Sequence, residues 1–472
     1  MLMDFKKYKK VAVVQSKTTS YDYNRVKIAL EKLLRLLGLD RERVGQKAWN
    51  PLGEFIEKGD NVLIKPNLIR QSHMSSDDWE YVITHHTVIE AVVHYVYKAL
   101  QGTGQVVIAD GPQTDSDFAK IYEISEFDVL KRHYQKQYGY DLRIFDLREE
   151  EWKTANGIIL KRTSLSGDPL GYMEIDLGIR SEFASLWSNK RYYGANPNFR
   201  ETQAYHSGGH HRYRMASSAL DADVVINLPK LKTHKKTGVT LSLKNLVGVH
   251  GNRNYLPHHT MGTPAEGGDE FEKSTGMNRV QSRLIRVLET ILTWRGRGGV
   301  VEKALKEIGY KVFGKTEEVV RSGNWYGNNT TWRMVLDLNK ILFYATADGT
   351  MTEQPQRKYL SIVDGIIAGE GDGPMAPDPK PCGILVGGFN PVAVDCVCAH
   401  VMGFDIEKIP LLRNAFRMKA FPLVAFSPEE IEIISNRAEF NKKLLKIQPR
   451  DTSHFKPHFG WRGHIEREEK LE

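Results

Sequence analysis

The chain has 472 residues, of which 41% are hydrophobic and 26% charged, and this composition excludes a disordered, collagen-like or low-complexity protein. Lys and Arg number 66 against 58 Asp and Glu, so the formal net charge is +8, which mildly favours anionic partners. Three cysteines without a Cys-x-x-Cys pair exclude a disulfide framework, and an iron–sulfur cluster is not expected. No signal peptide or membrane-spanning run of about 20 apolar residues is visible. We therefore expect a soluble, cytoplasmic protein.

Short apolar, β-branched runs separated by helical patterns predict the fold class. Such runs suit buried strands, and their alternation with helices predicts an α/β fold with a mostly parallel β-sheet flanked by helices on both faces. The predicted strands cover residues 11–14, 61–67, 105–110, 223–229, 359–365 and 383–388. In such a sheet, functional groups are expected on loops that leave the carboxyl ends of the strands.

The first candidate motif is VLIKPNL, in which a strand ends at Lys65-Pro66-Asn67. An ammonium and an amide at a strand end could anchor a phosphate or carboxylate, and a surface turn is the alternative. Thr84 and Thr87 are the predicted N-caps of the helix that follows, and glycines at 102 and 104 end it.

The second motif runs from 223 to 248 and concentrates cations at the same edge. A buried strand is expected to deliver Lys230, Lys232 and His234, and a later turn Lys244 and Asn245. Clustered lysines repel one another unless an anion or an acidic wall compensates, so the pattern favours an anion site or a catalytic lysine over a solvated basic face.

Histidines give a weaker signal for a metal. Because Gly208 and Gly209 precede His210 and His211, these two imidazoles lie on a loop, and a metal site would need ligands from distant segments. A divalent metal is therefore kept as a hypothetical cofactor. Its candidate ligands are His210, His211, His234, Asp364 and Asp372.

The strand pattern lapses between residues 251 and 340. A loop rich in Gly, His and Pro precedes two basic amphipathic stretches, which predict an inserted loop and helical subdomain. The predicted α/β domain is consequently discontinuous and covers residues 1–250 and 341–435. Residues 436–472 are predicted to be a tail that wraps over the domain or frays.

Two further motifs lie in the second part of the α/β domain. In SIVDGIIAGEGDGP a strand is expected to end at Asp364, so that a glycine-rich turn presents Glu370 and Asp372 to a cation, to the lysines or merely to solvent. In GGFNPVAVDCVCAHVMGF, Asn390 is the predicted N-cap of a buried helix that Gly403 ends. Cys396 and Cys398 are expected to be core thiols, whereas Asp395 could pair with a lysine of the cluster.

Taken together, the motifs resemble the signature segments of DUF362, a family of unknown function. Other members carry an appended ferredoxin-like segment, which this sequence lacks. The resemblance implies where a site lies and leaves its ligand open. The residues inside the matched segments are Lys65, Asn67, Asp110, Lys230, Lys232, His234, Lys244, Asn245, Asp364, Glu370 and Asp395.

The leading hypothesis is an enzyme for an anionic small molecule. The inserted segment is similar to that of a long subgroup of the family associated with cell-surface polysaccharide gene clusters, and this resemblance implies a phosphorylated or carboxylated sugar precursor of such a polysaccharide. Lys65, Asn67, Lys230, Lys244, Asn245 and Asp395 would bind this substrate, while His234, Lys232, Asp364 and Glu370 would act in catalysis. One alternative is a metal-dependent or redox protein with a His/carboxylate site. Another is a scaffold whose basic 278–313 helices contact a membrane surface, although peripheral membrane contact is not favoured, and nucleic acid is not an expected partner.

Overall fold

The computed structural model describes residues 4–16, 19–155, 158–186, 191–194, 199–284 and 320–468. The strands are β1 (Lys10–Gln15), β2 (Asn61–Pro66), β3 (Gln105–Asp110), β4 (Arg143–Asp146), β5 (Glu150–Ala155), β6 (Ile158–Ser164), β7 (Tyr172–Asp176), β8 (Tyr192–Tyr193), β9 (Arg212–Ala216), β10 (Val224–Leu228), β11 (Lys230–His234), β12 (Gly238–Thr240), β13 (His259–Thr260), β14 (Lys358–Asp372), β15 (Ala376–Gly388) and β16 (Glu432–Ser435). The helices are α1 (Tyr23–Leu36), α2 (His86–Leu100), α3 (Phe118–Ile124), α4 (Phe127–Tyr138), α5 (Phe199–Tyr205), α6 (Ser217–Leu220), α7 (Ser242–Asn245), α8 (Thr331–Tyr344), α9 (Pro391–Met402) and α10 (Pro410–Ala415). Residues 276–284 are also helical.

A mixed, mostly parallel sheet organises the chain, as the apolar runs predict. Its order is β16-β1-β15-β14-β10-β2-β3-β4, and β11 and β12 extend it beside β14. The neighbours β14, β10, β2, β3 and β4 are parallel, whereas β15 runs antiparallel between β1 and β14. Because β2, β3 and β10 are parallel neighbours, their carboxyl ends lie at one edge. Asn227 there pairs in register with Lys65.

Helices cover both faces of the sheet, which confirms the predicted layers. Alternate residues of β2, such as Val62 and Ile64, belong to the core that contains α1 and α2, while Leu63 between them belongs to the core on the opposite face, which contains α8 and α9. The strands are therefore buried on both sides. This explains why they are continuous apolar runs in the sequence.

Two local predictions about α2 and β14 are wrong. His85 caps α2 instead of Thr84 or Thr87, since its side chain accepts a hydrogen bond from the backbone N–H of Thr87. Strand β14 does not end at Asp364. It continues to Asp372, because antiparallel pairing with β15 satisfies its backbone along this whole stretch, including the glycine-rich segment.

The segment predicted as an insertion joins the core in part. Helix α8 crosses the predicted boundary at residue 340, and buried residues such as Trp332 and Phe343 belong to the core of one sheet face. Of the basic helices expected over 278–313, only residues up to 284 are described, and 285–319 lie outside the described residues. No described helix has the length and apolarity needed to span a lipid bilayer.

The tail predicted over 436–472 wraps over the domain as far as it is described. Trp461 is fully buried, and its indole N–H donates to the backbone oxygen of Lys235 at 2.8 Å. Its ring would also lie 3.0 Å from a Cβ added at Gly238. The tail thus packs against the β11–β12 hairpin, which carries several of the predicted site residues.

Candidate anion-binding site

A buried ion pair marks the carboxyl edge of the sheet. Lys65 Nζ at the end of β2 lies 2.7 Å from Asp110 Oδ1 at the end of β3, and both side chains are almost fully buried. The other carboxylate oxygen, Asp110 Oδ2, accepts the backbone N–H of Leu68 at 2.6 Å. Burial lowers the pKa of Lys65, and Asp110 opposes this shift. Lys65 is therefore bound within the protein and does not offer its charge to a ligand.

Three asparagines connect this edge to helix α7. Asn67 Nδ2 donates to Asn245 Oδ1 at 2.9 Å, and Asn245 Nδ2 donates to Asn227 Oδ1 at 2.7 Å. Asn245 Nδ2 also donates to the backbone oxygen of Lys65 at 3.1 Å. Because these buried amides satisfy one another, they fix α7 against the strand ends.

Asp395 holds the other end of α7. Its two oxygens accept the backbone N–H groups of Ser242 and Leu243 at 2.7 and 2.9 Å. Burial raises the pKa of Asp395 to about 7. The predicted pairing of Asp395 with a lysine is therefore wrong, since a carboxylate buried on α9 finds the free N–H groups of a helix start at closer range.

Lys232 occupies the interior between the strand ends. Its Nζ donates to the carbonyl oxygens of Val82 (2.5 Å) and Pro374 (3.2 Å) and to Asn67 Oδ1 (3.2 Å). Burial, with the charges of Lys230 and Lys244, lowers the pKa of Lys232 well below its ordinary value, while the three oxygens favour its protonated form. All three N–H groups are occupied, so Lys232 contributes charge without offering a hydrogen bond.

These segments enclose a cavity of about 360 Å³. Asn67, Lys232, His234, Lys244 and Asn245 all line it, so the structure brings together five of the predicted residues. Among the described lining residues, the only carboxylate is Asp110, which is already paired with Lys65. The cationic lining residues are Lys232, Lys235, Lys236, Lys244 and Arg253.

His234 faces the cavity as a neutral imidazole. Its Nδ1 accepts the backbone N–H groups of Lys236 (3.0 Å) and Thr237 (3.2 Å), which assigns the ring proton to Nε2. Burial, with the charges of Lys244 and Lys235, lowers the pKa of His234 well below its ordinary value. The ring therefore offers an N–H donor, and its pKa does not favour the predicted role of general acid or base at neutral pH.

Lys244 lies on α7 and is only partly exposed. Burial, with the charges of Arg253 and Lys65, lowers its pKa to about 7. Within the described part of the chain, the ammonium group makes no hydrogen bond or ion pair. This lysine differs in that respect from Lys65 and Lys232.

The segment 251–340 supplies lining residues that the motif analysis missed as site residues. Arg253 Nε and Nη2 donate to the carbonyl oxygens of Pro112 (3.0 Å) and Gly111 (2.7 Å), which aims its guanidinium along the cavity wall. Burial lowers the pKa of Arg253 to about 10. His258 and His259 line the same wall. The sequence did contain a signal for these residues, because the loop combines Arg and His with Gly and Pro. Tertiary packing sets the position of the loop, so the signal did not place these residues at the cavity.

Lys230 and Asp364 form a separate buried cluster outside the cavity. Lys230 Nζ lies 2.7 Å from Asp364 Oδ2 and donates to the Tyr21 hydroxyl at 2.7 Å. Tyr21 in turn donates to Asp364 Oδ1 at 2.8 Å. Burial lowers the pKa of Lys230, and Asp364 opposes this shift. The predicted substrate-binding role of Lys230 and catalytic role of Asp364 are not favoured, because each group is neutralised by the other.

Glu370 and Asp372 also lie away from the cavity lining. Glu370 forms an ion pair with Lys380 at 3.1 Å and accepts the backbone N–H of Lys456 at 2.9 Å. Asp372 accepts the backbone N–H of Phe459 at 3.2 Å. Both carboxylates fasten the tail to the β14–β15 arm, since the long strand carries them past the sheet edge.

The five candidate metal ligands do not converge. His210 pairs with Asp176 at 2.5 Å, and His211 Nδ1 lies 3.3 Å from His206 Nδ1, while His234 faces the cavity. Among the described residues no group of three His, Cys, Asp or Glu side chains could hold a metal ion. The three cysteines are buried and unpaired.

Comparison with known proteins identifies the family. The profile of a domain of unknown function, DUF362, matches residues 62–176 and 190–400, which include the carboxyl edge, α7 and the cavity wall. The chain belongs to the DUF362 family. The match also spans the whole of the segment predicted as an insertion, residues 251–340.

A curated relative and two solved structures are similar to this DUF362 chain. The relative is a thylakoid-associated protein of Synechocystis sp., 22% identical over 418 residues that make up 88% of this chain and 82% of the relative. A Thermotoga maritima protein is 9% identical at a TM-score of 0.35, covering 80% of this chain and 58% of its own. The lactate racemase apoprotein of Thermoanaerobacterium thermosaccharolyticum is 10% identical at 0.29, covering 85% and 59%. This chain thus spans less than two thirds of either structure.

Proposed function

We propose that this DUF362 protein is an enzyme that binds an anionic small molecule in the cavity at the carboxyl edge of its sheet. One observation carries the proposal: five cationic side chains line the cavity, and the single carboxylate among the described lining residues is already paired with Lys65. An unbalanced positive cavity attracts anions, because low-dielectric walls strengthen the field inside it. A bound phosphate or carboxylate would relieve the repulsion among these cations.

The proposal gives each lining group a role. Lys244 makes no hydrogen bond or ion pair with a described residue and would make the direct ion pair, while Arg253 would add a second contact from its own part of the lining. His234 would donate its Nε2–H to the ligand. Lys232 would attract the ligand through its charge and without a hydrogen bond, because oxygens of Asn67, Val82 and Pro374 already accept its N–H groups.

As substrates we propose phosphorylated or carboxylated sugar precursors of a cell-surface polysaccharide. A cavity of about 360 Å³ suits a small molecule of this size. We further propose a cytoplasmic location, because a reducing compartment suits three unpaired cysteines.

Calorimetric titration tests the binding. Wild type is titrated with inorganic phosphate, a hexose 1-phosphate and a nucleotide sugar at low salt, beside the variants Lys244→Gln and Lys9→Gln. The control residue Lys9 is 40% exposed and pairs with Glu430 away from the cavity. A charge-assisted hydrogen bond contributes about 1.5–3 kcal/mol, so we expect Lys244→Gln to weaken binding by about 10-fold to 100-fold. Lys9→Gln is expected to bind as wild type does.

Two results would overturn the proposal. One is wild-type protein that binds none of these anions at millimolar concentration. The other is a Lys244→Gln variant that binds them with unchanged affinity. Turnover of a bound compound, detected by mass spectrometry of the reaction mixture, would distinguish an enzyme from a binding protein.

A further inference from the structure

Lys244 differs from Lys232, the lining lysine whose three N–H groups all have oxygen acceptors within the protein. Lys232 has an oxygen acceptor for each of its three N–H groups, and behind it Lys65 has the Asp110 carboxylate. Lys244 Nζ faces the same cavity, yet no described atom accepts a hydrogen bond from it. Nothing in the described structure thus holds its proton in place.

The surroundings favour the neutral amine at this position. The pKa of Lys244 falls to about 7 through burial, with further contributions from the Arg253 and Lys65 charges, so the free amine is far more populated near neutral pH than in an ordinary lysine. An ordinary lysine with a pKa of about 10.4 is less than about 0.1% deprotonated at pH 7. Asp110 opposes this shift, although Lys65 and the Leu68 N–H already bind its two oxygens.

The cavity therefore combines three functional parts. It contains a primary amine with an available lone pair, cations that can hold an anionic group, and the neutral His234 ring with its proton on Nε2. An amine that neighbouring cations keep deprotonated is the form in which lysine attacks carbonyl carbon. A neutral N–H donor suits the oxygen of the carbonyl under attack.

We propose that Lys244 forms an imine with an anionic aldehyde or ketone bound in this cavity, an inference that rests on the proposed anion-binding function. The Nζ lone pair attacks the carbonyl carbon and the C=O π bond opens onto oxygen, giving a carbinolamine after proton transfer from nitrogen to oxygen. The C–O bond then breaks as the oxygen leaves with a second proton as water, and the C=N bond forms. One amine and one carbonyl yield one imine and one water, with no oxidant or reductant.

Reductive trapping tests this inference with pyridoxal 5′-phosphate, which is both an aldehyde and an anion. Wild-type protein is incubated with the probe at pH 7.5, reduced with borohydride and mapped by peptide mass spectrometry. We expect a near-stoichiometric adduct on Lys244, suppressed by inorganic phosphate. Lys7, whose side chain is 76% exposed and whose charge pairs with Asp4, serves as the control and is expected to be modified at least 10-fold less. Pyridoxal, which lacks the phosphate, is expected to label Lys244 at least 10-fold less than the phosphate probe.

Titration of wild type with inorganic phosphate separates anion binding from the imine. The variant Lys244→Arg lacks the primary amine, so its cavity adduct is expected to disappear. The rate of wild-type labelling should rise with pH around a midpoint near 7. If wild type fails to bind phosphate, the proposed function itself is wrong. If it binds phosphate but Lys244 is labelled no faster than Lys7, only the imine inference is overturned.

Discussion

At the scale of single residues, the lysines of this protein differ in what neutralises them. Lys65 and Lys230 each have a buried carboxylate at 2.7 Å, and Lys232 has only neutral oxygens. Breaking a buried ion pair costs about 3–5 kcal/mol, because the remaining charge is left unpaired in the interior. The two pairs therefore fix the architecture of the edge, whereas the Lys232 ammonium group lies among carbonyl and amide oxygens.

Gly248 is the residue that lets the Lys65–Asp110 pair form, and Gly248→Ala tests this. A Cβ there would lie 1.9 Å from Asp110 Oδ1 and 2.7 Å from Lys65 Nζ, so one of the two side chains would have to move. We expect the variant to lose about 3 kcal/mol or more of its free energy of unfolding, measured by urea denaturation.

The matched control is Gly276→Ala. An added Cβ has no atom within 4 Å, the residue is exposed, and it is helical without a positive φ. Alanine at a helical glycine position is expected to change stability by no more than about 1 kcal/mol, in the stabilising direction. Equal stability losses in the two variants would contradict the account of Gly248.

At the scale of elements, α7 shows how a four-residue helix can carry a site. A helix this short is not stable by itself, so its position depends on Asp395 at one end and on Asn245 at the other. The sequence pattern placed Lys244 and Asn245 on a turn near the strand ends. Only the packing of α9 against α7 shows that Asp395 caps this helix.

Asp395→Asn is predicted to change how stability depends on pH. The folded-state pKa of about 7 exceeds the ordinary Asp value of 3.8, so between pH 3.8 and pH 7 the folded protein binds a proton that the unfolded chain does not. Stability from this group is thus present below about pH 4 and is lost as pH rises through 7. Each pH unit within this window corresponds to about 1.4 kcal/mol.

Urea denaturation of both proteins at pH 5 and pH 7 measures this difference. Relative to wild type, Asp395→Asn should be less stable at pH 5 by about 1–2 kcal/mol, since the amide can accept only one of the two N–H groups. At pH 7 this deficit should shrink or reverse. If the free energies of unfolding of the two proteins differ by the same amount at pH 5 and at pH 7, Asp395 does not titrate in this range.

At the scale of the whole molecule, buried histidines should dominate the response to acid. Burial lowers the pKa of His206, His400 and His458 to about 3 in each case. Because the unfolded chain binds protons near pH 6.5 and the folded chain does not, stability is present above 6.5 and is lost as pH falls below it. Asp395 has the opposite effect, because its raised pKa makes the folded protein more stable as pH falls, but it is one group against three histidines.

We therefore expect the urea midpoint to fall steadily between pH 7 and pH 5. Each such histidine contributes a loss of about 1.4 kcal/mol per pH unit below 6.5. His458→Asn is the informative variant, because it removes the titrating ring. The Asn amide oxygen can replace His458 Nδ1 as the acceptor of the Gly460 N–H. Its slope with pH should be shallower than that of wild type. A wild-type midpoint that is equal at pH 5 and pH 7 would contradict the prediction.

The sequence by itself determined where six strands of the main sheet lie, the two-faced burial of that sheet and the caps of α9, because these depend on neighbouring residues. Asn390 accepts the Ala393 N–H and Gly403 ends the helix at a φ of 90°, both as the local pattern predicts. The sequence also placed Lys232, His234, Lys244 and Asn245 at the carboxyl edge of the sheet, because the carboxyl ends of neighbouring parallel strands lie together.

The tertiary structure decided which charges remain available. Lys230 and Asp364 are 134 positions apart in the chain, and their pairing removes both from the cavity. Arg253, His258 and His259 enter the cavity from a loop without a strand or helix pattern to place it. Neutralisation depends on distances of about 3 Å between remote residues, and such distances are set by packing alone.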